Sequence, residues 1–486
     1  MDWIYEVLPQ YFLWINALLA IVIIYAGRKM PARSTMMWLM VLALFPVIGF
    51  FPYLLLGRDT RKANVFRLKQ GQDLAIREEI RTQKGMLSEL PDFFADSEER
   101  VLLEEIREIA ILNLNNSNAV ISADNEVRVF TDGRKKFDAL IEDIDRAQRT
   151  VELQYYIFKS DGLGTQVMTH LVAAAERGVR VRFLTDGLGC RRLRKADLRE
   201  MRAAGIEVAI FSPSLFKVIN FRMNYRNHRK LVVIDDVISY IGGFNVGDEY
   251  LGKDARFGYW RDTHLRIVGS AAQAIKMRFL QDWYYASGQD PSMEPDFQIS
   301  EGPGEIPCQM ISSGPDTKKK NIKLAMVKLI NQANRRIDIQ TPYFIPDPSF
   351  QEAMTIALQQ GVEVNIMIPN QPDHPIVYPA TLSFVSDLIA EGAHVYRYEG
   401  GFLHSKVLLV DEIYSLVGSA NVDERSFSLN FEASEMVYSS EVNQILRQAF
   451  EQDQANSTLI TPERWAKRPL RYKILSPVCR LFAPIL

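Results

Sequence analysis

Two stretches near the start of the chain carry no charge, residues 7–27 and 34–57. Each is long enough to cross a bilayer core of roughly 30 Å. The first holds only Gln10 and Asn16 as strongly polar groups, and the second, Met36–Leu56, contains Pro46, Gly49 and Pro52, which a membrane helix tolerates better than a soluble one. Tyr11, Trp14, Tyr25, Trp38 and Tyr53 supply aromatics for the interfaces. The acidic start, Asp2 and Glu6, and the second apolar run directly after the first argue against a cleaved signal peptide. The pattern therefore predicts a two-helix transmembrane hairpin over residues 1–57. Arg28, Lys29 and Arg33 in its turn, and Arg58, Arg61, Lys62, Arg67 and Lys69 after it, give both sides a basic claim to the cytoplasm. The working reading puts the catalytic side there.

Residues 58–118 are charged and read as a mainly helical connector, most clearly over Ser97–Leu114. From residue 119 the pattern alternates between short apolar runs and amphipathic ones. Glu126–Phe130, Val151–Phe158 and Val179–Thr185 read as strands. Lys135–Ala147, with Phe137, Leu140, Ile141 and Ile144 at helical spacing, reads as a helix, and so does Gly164–Glu176. This is α/β patterning. It then repeats: Gln154 falls opposite Gln340, Gly178 opposite Gly361 and Gly205 opposite Gly392, at offsets of 186, 183 and 187 residues. A period this long marks a duplicated domain. The halves are predicted at 119–298 and 299–486, divided near the Pro- and Gly-rich stretch 288–307. The largest insertion, around 211–227, precedes a motif in the first half. The tail from Arg468 mixes Leu470, Ile474, Leu475, Val478 and Leu481 with Arg471, Lys473 and Arg480. That composition suits either an anionic membrane surface or a last helix packed on the body.

Composition adds limits. The chain has 486 residues, 47% of them apolar, and a formal net charge of −2, which gives no electrostatic case for nucleic acid. Cys190, Cys308 and Cys479 lie far apart, so neither a zinc site nor a disulfide framework is expected. No carboxylate cluster has a metal-ligand spacing, and no cofactor is expected.

The chemistry lies in two octapeptides. His228-Arg-Lys230-Leu-Val-Val-Ile-Asp235 has the form H-x-K-x4-D, and His404-Ser-Lys406-Val-Leu-Leu-Val-Asp411 repeats it. In each copy Gly follows the Asp by seven residues (Gly242, Gly418) and Asn by ten (Asn245, Asn421). In a strand, His and Lys two apart share a face, and the apolar run after each Lys is that of a strand buried on both sides. Two such copies in a chain with only six His are hard to attribute to chance. One neutral imidazole can attack phosphorus while a second protonates the leaving alkoxide and later deprotonates the acceptor. The two lysines offset charge on the non-bridging oxygens, with Asn245, Asn421 and Ser419 as further phosphate contacts. The acids Asp235 and Asp411 complete the motif and are grouped with the catalytic residues, although their place at the far end of each strand reads as structural.

These paired motifs resemble the signature of the phospholipase D superfamily. Arg28-Lys-Met-Pro31, Tyr53-Leu-Leu-Leu-Gly-Arg58, Gly400-Gly-Phe-Leu-His404 and Asn430-Phe-Glu432 narrow the resemblance to bacterial cardiolipin synthases. The resemblance covers nearly the whole chain. It implies an α/β fold of two duplicated phospholipase D-like α/β/α halves around a pseudo-two-fold active site, preceded by the transmembrane hairpin. It also implies a phosphatidyltransferase of the bacterial cell membrane that joins two phosphatidylglycerol molecules through a phosphohistidine and releases glycerol. A downstream acid orients each imidazole in this superfamily. Glu432, 28 residues after His404, and Asp262, at the comparable place after the first motif, match that role. By resemblance His228 is the nucleophile, although Glu432 following the second motif equally favours His404. A hydrolytic phospholipase D or another phosphatidyltransferase would carry the same motifs. A nuclease is disfavoured by the charge balance and the hairpin. Anionic lipid is the expected partner, nucleic acid is not, and a homodimer stays open. Leu215–Arg222 reads as a lipid guide or a packed surface loop.

Overall fold

A computed structural model describes residues 2–26, 32–54, 82–83, 98–211, 225–289, 302–317 and 319–483. Most of the insertion before the first motif, Leu215–Arg222 included, and the core of the boundary between halves lie outside the described residues.

The strands of the first half are β1 (Ile121–Phe130), β2 (Thr150–Tyr155), β3 (Arg180–Asp186), β4 (Glu207–Phe211), β5 (Leu231–Ile234), β6 (Ile238–Gly242), β7 (Trp260–Arg261) and β8 (His264–Val268). Those of the second are β9 (Ile306–Ser313), β10 (Arg336–Gln340), β11 (Phe344–Ile345), β12 (Glu363–Pro369), β13 (His394–Tyr398), β14 (Phe402–Leu403), β15 (Val407–Val410), β16 (Tyr414–Gly418), β17 (Val422–Asp423), β18 (Glu432–Tyr438) and β19 (Ser457–Leu459). One 15-stranded sheet runs β19-β13-β12-β10-β15-β16-β18-β9-β1-β8-β6-β5-β2-β3-β4. Read outward from the β9–β1 seam, β9-β18-β16-β15-β10-β12-β13 mirrors β1-β8-β6-β5-β2-β3-β4. The duplication seen in the sequence is thus a pseudo-two-fold axis through one continuous sheet.

The parallel strands β2, β3 and β4 are joined by helices Gly162–Glu176 and Lys195–Ala203, and β10, β12 and β13 by Pro348–Gln359 and Val377–Ala390. Such crossovers cover both faces of a sheet, which is why strand residues such as Leu231–Ile234 and Val407–Val410 are all buried. One core draws on both halves, with Leu231, Val233 and Leu265 packed with Val407, Leu409 and Val437. Burying a side chain of this size contributes about 1.5–3 kcal/mol, so the halves stabilise each other. The helix expected within the connector runs over Glu98–Ser117, and its Ile106 and Ile109 enter the second half's core.

At the N-terminus, helices Asp2–Ala26 and Ala32–Leu44 pack through Ile23, Met37, Trp38 and Leu42, joined by Tyr53 from beyond the turn that follows. Among the described residues no helix is long and apolar enough to cross a membrane. The second apolar run is not the single helix its composition predicts. Pro46 has no N–H to donate, the chain turns at Phe45–Gly49, and Val47 takes φ 65°. The Val47 N–H is received by the Asn16 carboxamide at 3.2 Å, so the polar residue of the first helix satisfies the break in the second.

Candidate active site

His228 and His404 stand immediately before β5 and β15, at the ends of strands that lie inside the sheet next to β2 and β10. The segment ahead of each motif is stitched to the opposite half. The His228 N–H donates to Phe431 O at 2.9 Å, and the Phe431 N–H to Arg226 O at 2.8 Å. The His404 N–H donates to Arg261 O at 2.7 Å, where β14 pairs in parallel with β7. Each stitched segment carries one of the acids. Consequently His228 Nδ1 lies 3.0 Å from both carboxylate oxygens of Glu432, and His404 Nδ1 lies 2.6 Å from Asp262 Oδ2. Spacing along the chain had attached Glu432 to the second motif. The fold gives it to the first, and that removes the argument for His404 as nucleophile.

With each Nδ1 committed to a carboxylate, Nε2 is the nitrogen left to face a substrate. Burial, together with the charges of Lys230 and Lys406, holds the His228 imidazole below its ordinary pKa, and His404 is lowered to about 3. Both rings are therefore neutral at rest. Burial works to raise the Glu432 carboxyl, but His228, Lys230 and Ser419 outweigh it and keep it ionised. Burial also lowers Lys230 to about 7 and Lys406 to about 8, and each ammonium acts on the other motif's histidine. Each lysine donates to the backbone carbonyl of the histidine two residues before it, which keeps each ammonium beside its own histidine.

Four expected contacts turn out otherwise. The Asp235 carboxylate accepts from the N–H groups of Gln148, Arg149 and Thr150 at 2.7–2.9 Å, and Asp411 accepts from Asn334, Arg335 and Arg336 at 2.8–3.0 Å. They bind the start of the neighbouring strand, at the end of β5 or β15 away from the histidines. Grouping them with the catalytic residues is thus corrected to a structural role. They take φ 51° and 45°, a left-handed conformation that Asp tolerates where its side chain bonds locally. The Ser419 hydroxyl is also spent: it donates to Glu432 and accepts from the Ala433 N–H at 3.1 Å, so it holds the acid and not a phosphate. Asn245 uses its oxygen on the Ile157 N–H at 3.0 Å and its amide on the Tyr250 hydroxyl at 2.8 Å. It frames the site. Asn421 is buried, and its Oδ1 has no hydrogen-bond partner among the described residues.

Several groups around the site had no signal in the motif spacing. The Tyr156 ring meets His228 edge-on at 5.0 Å, and Trp260 lies 5.4 Å from the His404 ring. Arg229 donates to Glu432 O at 3.1 Å and to Asp282 at 2.7 Å. Arg261 binds Asp453 at 2.8 Å. The matched glutamines of the repeat serve these clamps: Gln154 donates to Asp282 at 2.9 Å and Gln340 to Asp453 at 2.8 Å. The acid-bearing segments are thus fixed by buried, hydrogen-bonded ion pairs.

The halves also differ at the residue after the motif's glycine. Where the second has Ser419, the first has Gly243, and a methyl group built there would come within 1.9 Å of Asp262 Oδ1. Gly243→Ala should therefore push Asp262 off His404 and cost activity by about 10²–10⁴-fold, as loss of an imidazole-orienting acid does. Adding Gly243→Ala to Asp262→Ala should cost little more, and a double-mutant cycle on initial rates checks this.

The "Cardiolipin synthase, PLD-like domain" family model matches residues 140–283 and 326–454, and the "Phospholipase_D-nuclease N-terminal" model matches 13–58. The chain is 43% identical over 472 residues to a cardiolipin synthase of Oceanobacillus iheyensis, covering 97% of each chain. It is 44% identical over 487 residues to the major cardiolipin synthase ClsA of Bacillus subtilis, covering 99% of each. A crystal structure of phosphatidylserine synthase from Haemophilus influenzae aligns with 78% of this chain and all of its own, at TM-score 0.61 and 15% identity, and shares the fold. The paired motifs, the two-fold sheet and these relatives agree, and the chain belongs to the cardiolipin synthase family of the phospholipase D superfamily.

Proposed function

We propose that the chain makes cardiolipin, transferring a phosphatidyl group from one phosphatidylglycerol to another and releasing glycerol. The observation that carries this reading is the pair of imidazole–carboxylate dyads, built across the halves, that share one site with two buried lysines. His228 Nε2 attacks phosphorus as the P–O bond to glycerol breaks. A phosphodiester between Lys230 and Lys406 offsets their charge, so that Asp262 can favour the His404 imidazolium; His404 takes up a proton from solvent as substrate binds and gives it to the departing glycerol oxygen. His404 then takes the proton of the incoming glycerol hydroxyl as that oxygen attacks phosphorus and frees His228. The lysines neutralise the non-bridging oxygens throughout. The names of the curated relatives support the substrate.

Phosphatidylglycerol should suffice as sole substrate, giving cardiolipin and glycerol in equal amounts. Phosphatidic acid as the main product would establish hydrolysis in place of transfer. Among the described residues no group of three or more His, Cys, Asp and Glu side chains is placed to hold a metal, so the rate should survive EDTA in mixed micelles. The pH profile follows from the lysines. As pH rises through about 7 and about 8, Lys230 and Lys406 lose their charge, so kcat/KM should fall on the alkaline side. The limb of kcat should lie higher, because bound phosphate favours the ammonium forms. The histidines are already neutral, so no acid limb should appear near pH 6.5.

For residues 1–57 we keep the reading of a membrane-embedded hairpin in the bacterial cell membrane, with the catalytic halves on the cytoplasmic side. Its support is the family match over 13–58 and the exposed apolar residues Leu13, Trp14, Leu18 and Ile21.

A further inference from the structure

The helix Leu470–Arg480 has two unlike faces. Ser476 and Cys479 are buried, Tyr472 packs edge-on against Tyr378 at 6.0 Å, and Arg480 donates to Asp387 at 2.7 Å while lying over Phe384 at 4.3 Å. This face is docked on helix Val377–Ala390. On the other side Leu470, Ile474, Val478 and Leu481 are 70%, 60%, 48% and 56% exposed. At ~100° per residue they fall within a stripe of about 80°, turned away from the docked face. A stripe of large apolar side chains with no protein cover marks an interaction surface.

Charge and position identify what covers it. Six basic residues, Arg464, Lys467, Arg468, Arg471, Lys473 and Arg480, and no acidic one lie between Arg464 and Leu486, in a chain whose net charge is −2. The docked start of the helix meets Tyr378, two residues after exposed Ile376 and five after Asp373, whose carboxylate accepts from the Tyr343 hydroxyl and whose charge acts on Lys406. The helix is thus docked on the element that follows Asp373 in the chain.

We propose that Leu470–Arg480 is an interfacial docking helix. Its apolar stripe enters an anionic phospholipid bilayer, the flanking Arg471 and Lys473 hold the headgroups, and the mouth of the site is thereby set at the surface where its lipid substrates lie. The proposal rests on the lipid-transferase reading, and the test separates the two. In the full-length protein, Ile474→Glu/Val478→Glu should leave cardiolipin formation near wild type in detergent–phosphatidylglycerol mixed micelles, where substrate arrives without a bilayer. On phosphatidylglycerol vesicles the same variant should lose about tenfold in rate at low lipid. Lys473→Glu should lower the vesicle rate at low salt and make it depend less on added salt than the wild type's, again without effect in micelles. Wild-type rates on vesicles would overturn the proposal, and so would an equal loss in vesicles and micelles, which would mark the face as structural. If the double variant instead changed the sedimenting species and kept its vesicle activity, the stripe would belong to a second copy of the chain. Absence of product from the unmodified protein in micelles would reject the transferase reading itself.

Discussion

Replacing either His228 or His404 with alanine should abolish cardiolipin formation, lowering the rate by about 10⁴-fold or more while the protein remains folded. Losses of this size are typical when one member of an interdependent nucleophile–base set is removed. The effect should be large at both positions because the two imidazoles do different work and neither can substitute for the other. Each Nδ1 is tied to its own carboxylate, at 3.0 Å for His228 and 2.6 Å for His404. Only 13% and 12% of the two histidine side chains are exposed, so each ring works inside a nearly closed site. The roles can be read from the covalent intermediate. Quenched turnover with phosphatidylglycerol should place the phosphatidyl group on the peptide holding His228. His404→Ala should accumulate no adduct beyond trace, because glycerol would leave unprotonated. An adduct on the His404 peptide would reverse the assignment and leave the two-histidine chemistry intact. Near-normal turnover by either variant would end the mechanism.

Glu432→Gln and Asp262→Asn should each reduce the rate by about 10²–10⁴-fold, and each should act on the histidine of the opposite half. An amide in place of the carboxylate removes the charge that favours an imidazolium. It can also donate to Nδ1, forcing the proton onto Nε2 and blocking that nitrogen as nucleophile or base. Glu432 should be the more sensitive to its surroundings, because its oxygens also accept from Ser419 and, at 3.2 Å, from the Asn430 amide. Histidine nitrogen NMR gives a readout independent of rate. Glu432→Gln should change the tautomer signature of His228 and leave His404 alone, and Asp262→Asn should do the converse. A change at the histidine of the same half would contradict the crossed pairing.

The elements of the catalytic body were legible because each depends on local periodicity. Thr150–Tyr155 and Arg180–Asp186 are strands, and Gly133–Arg146 and Gly162–Glu176 are helices, at or within a few residues of where the spacing of apolar positions puts them. The duplication was legible because matched glycines and glutamines survive in both halves. The second apolar run near the N-terminus was harder. Its composition is that of one continuous span, but a single missing N–H at Pro46 and the turn at Val47 end the helix at Leu44.

In the active site the division follows sequence separation. The sequence by itself determined which residues share a strand: His and Lys two apart on one face, a buried run of four, and an acid at the far end, twice. Alternation along a strand makes such relations a matter of counting. Only the tertiary structure decided which acid serves which histidine, since Glu432 lies 204 residues from His228 and Asp262 lies 142 from His404. That choice is made by parallel pairing at Asn227–Phe431 and Leu403–Arg261, across a pseudo-two-fold axis, and no spacing within one half encodes it. The same separation explains Ser419 and Gly243. They are one position in the repeat, yet a hydroxyl bonds the acid in one half and the lack of a side chain makes room for it in the other. Whether that position supports or displaces a carboxylate is settled by the distance between two backbones brought together only on folding.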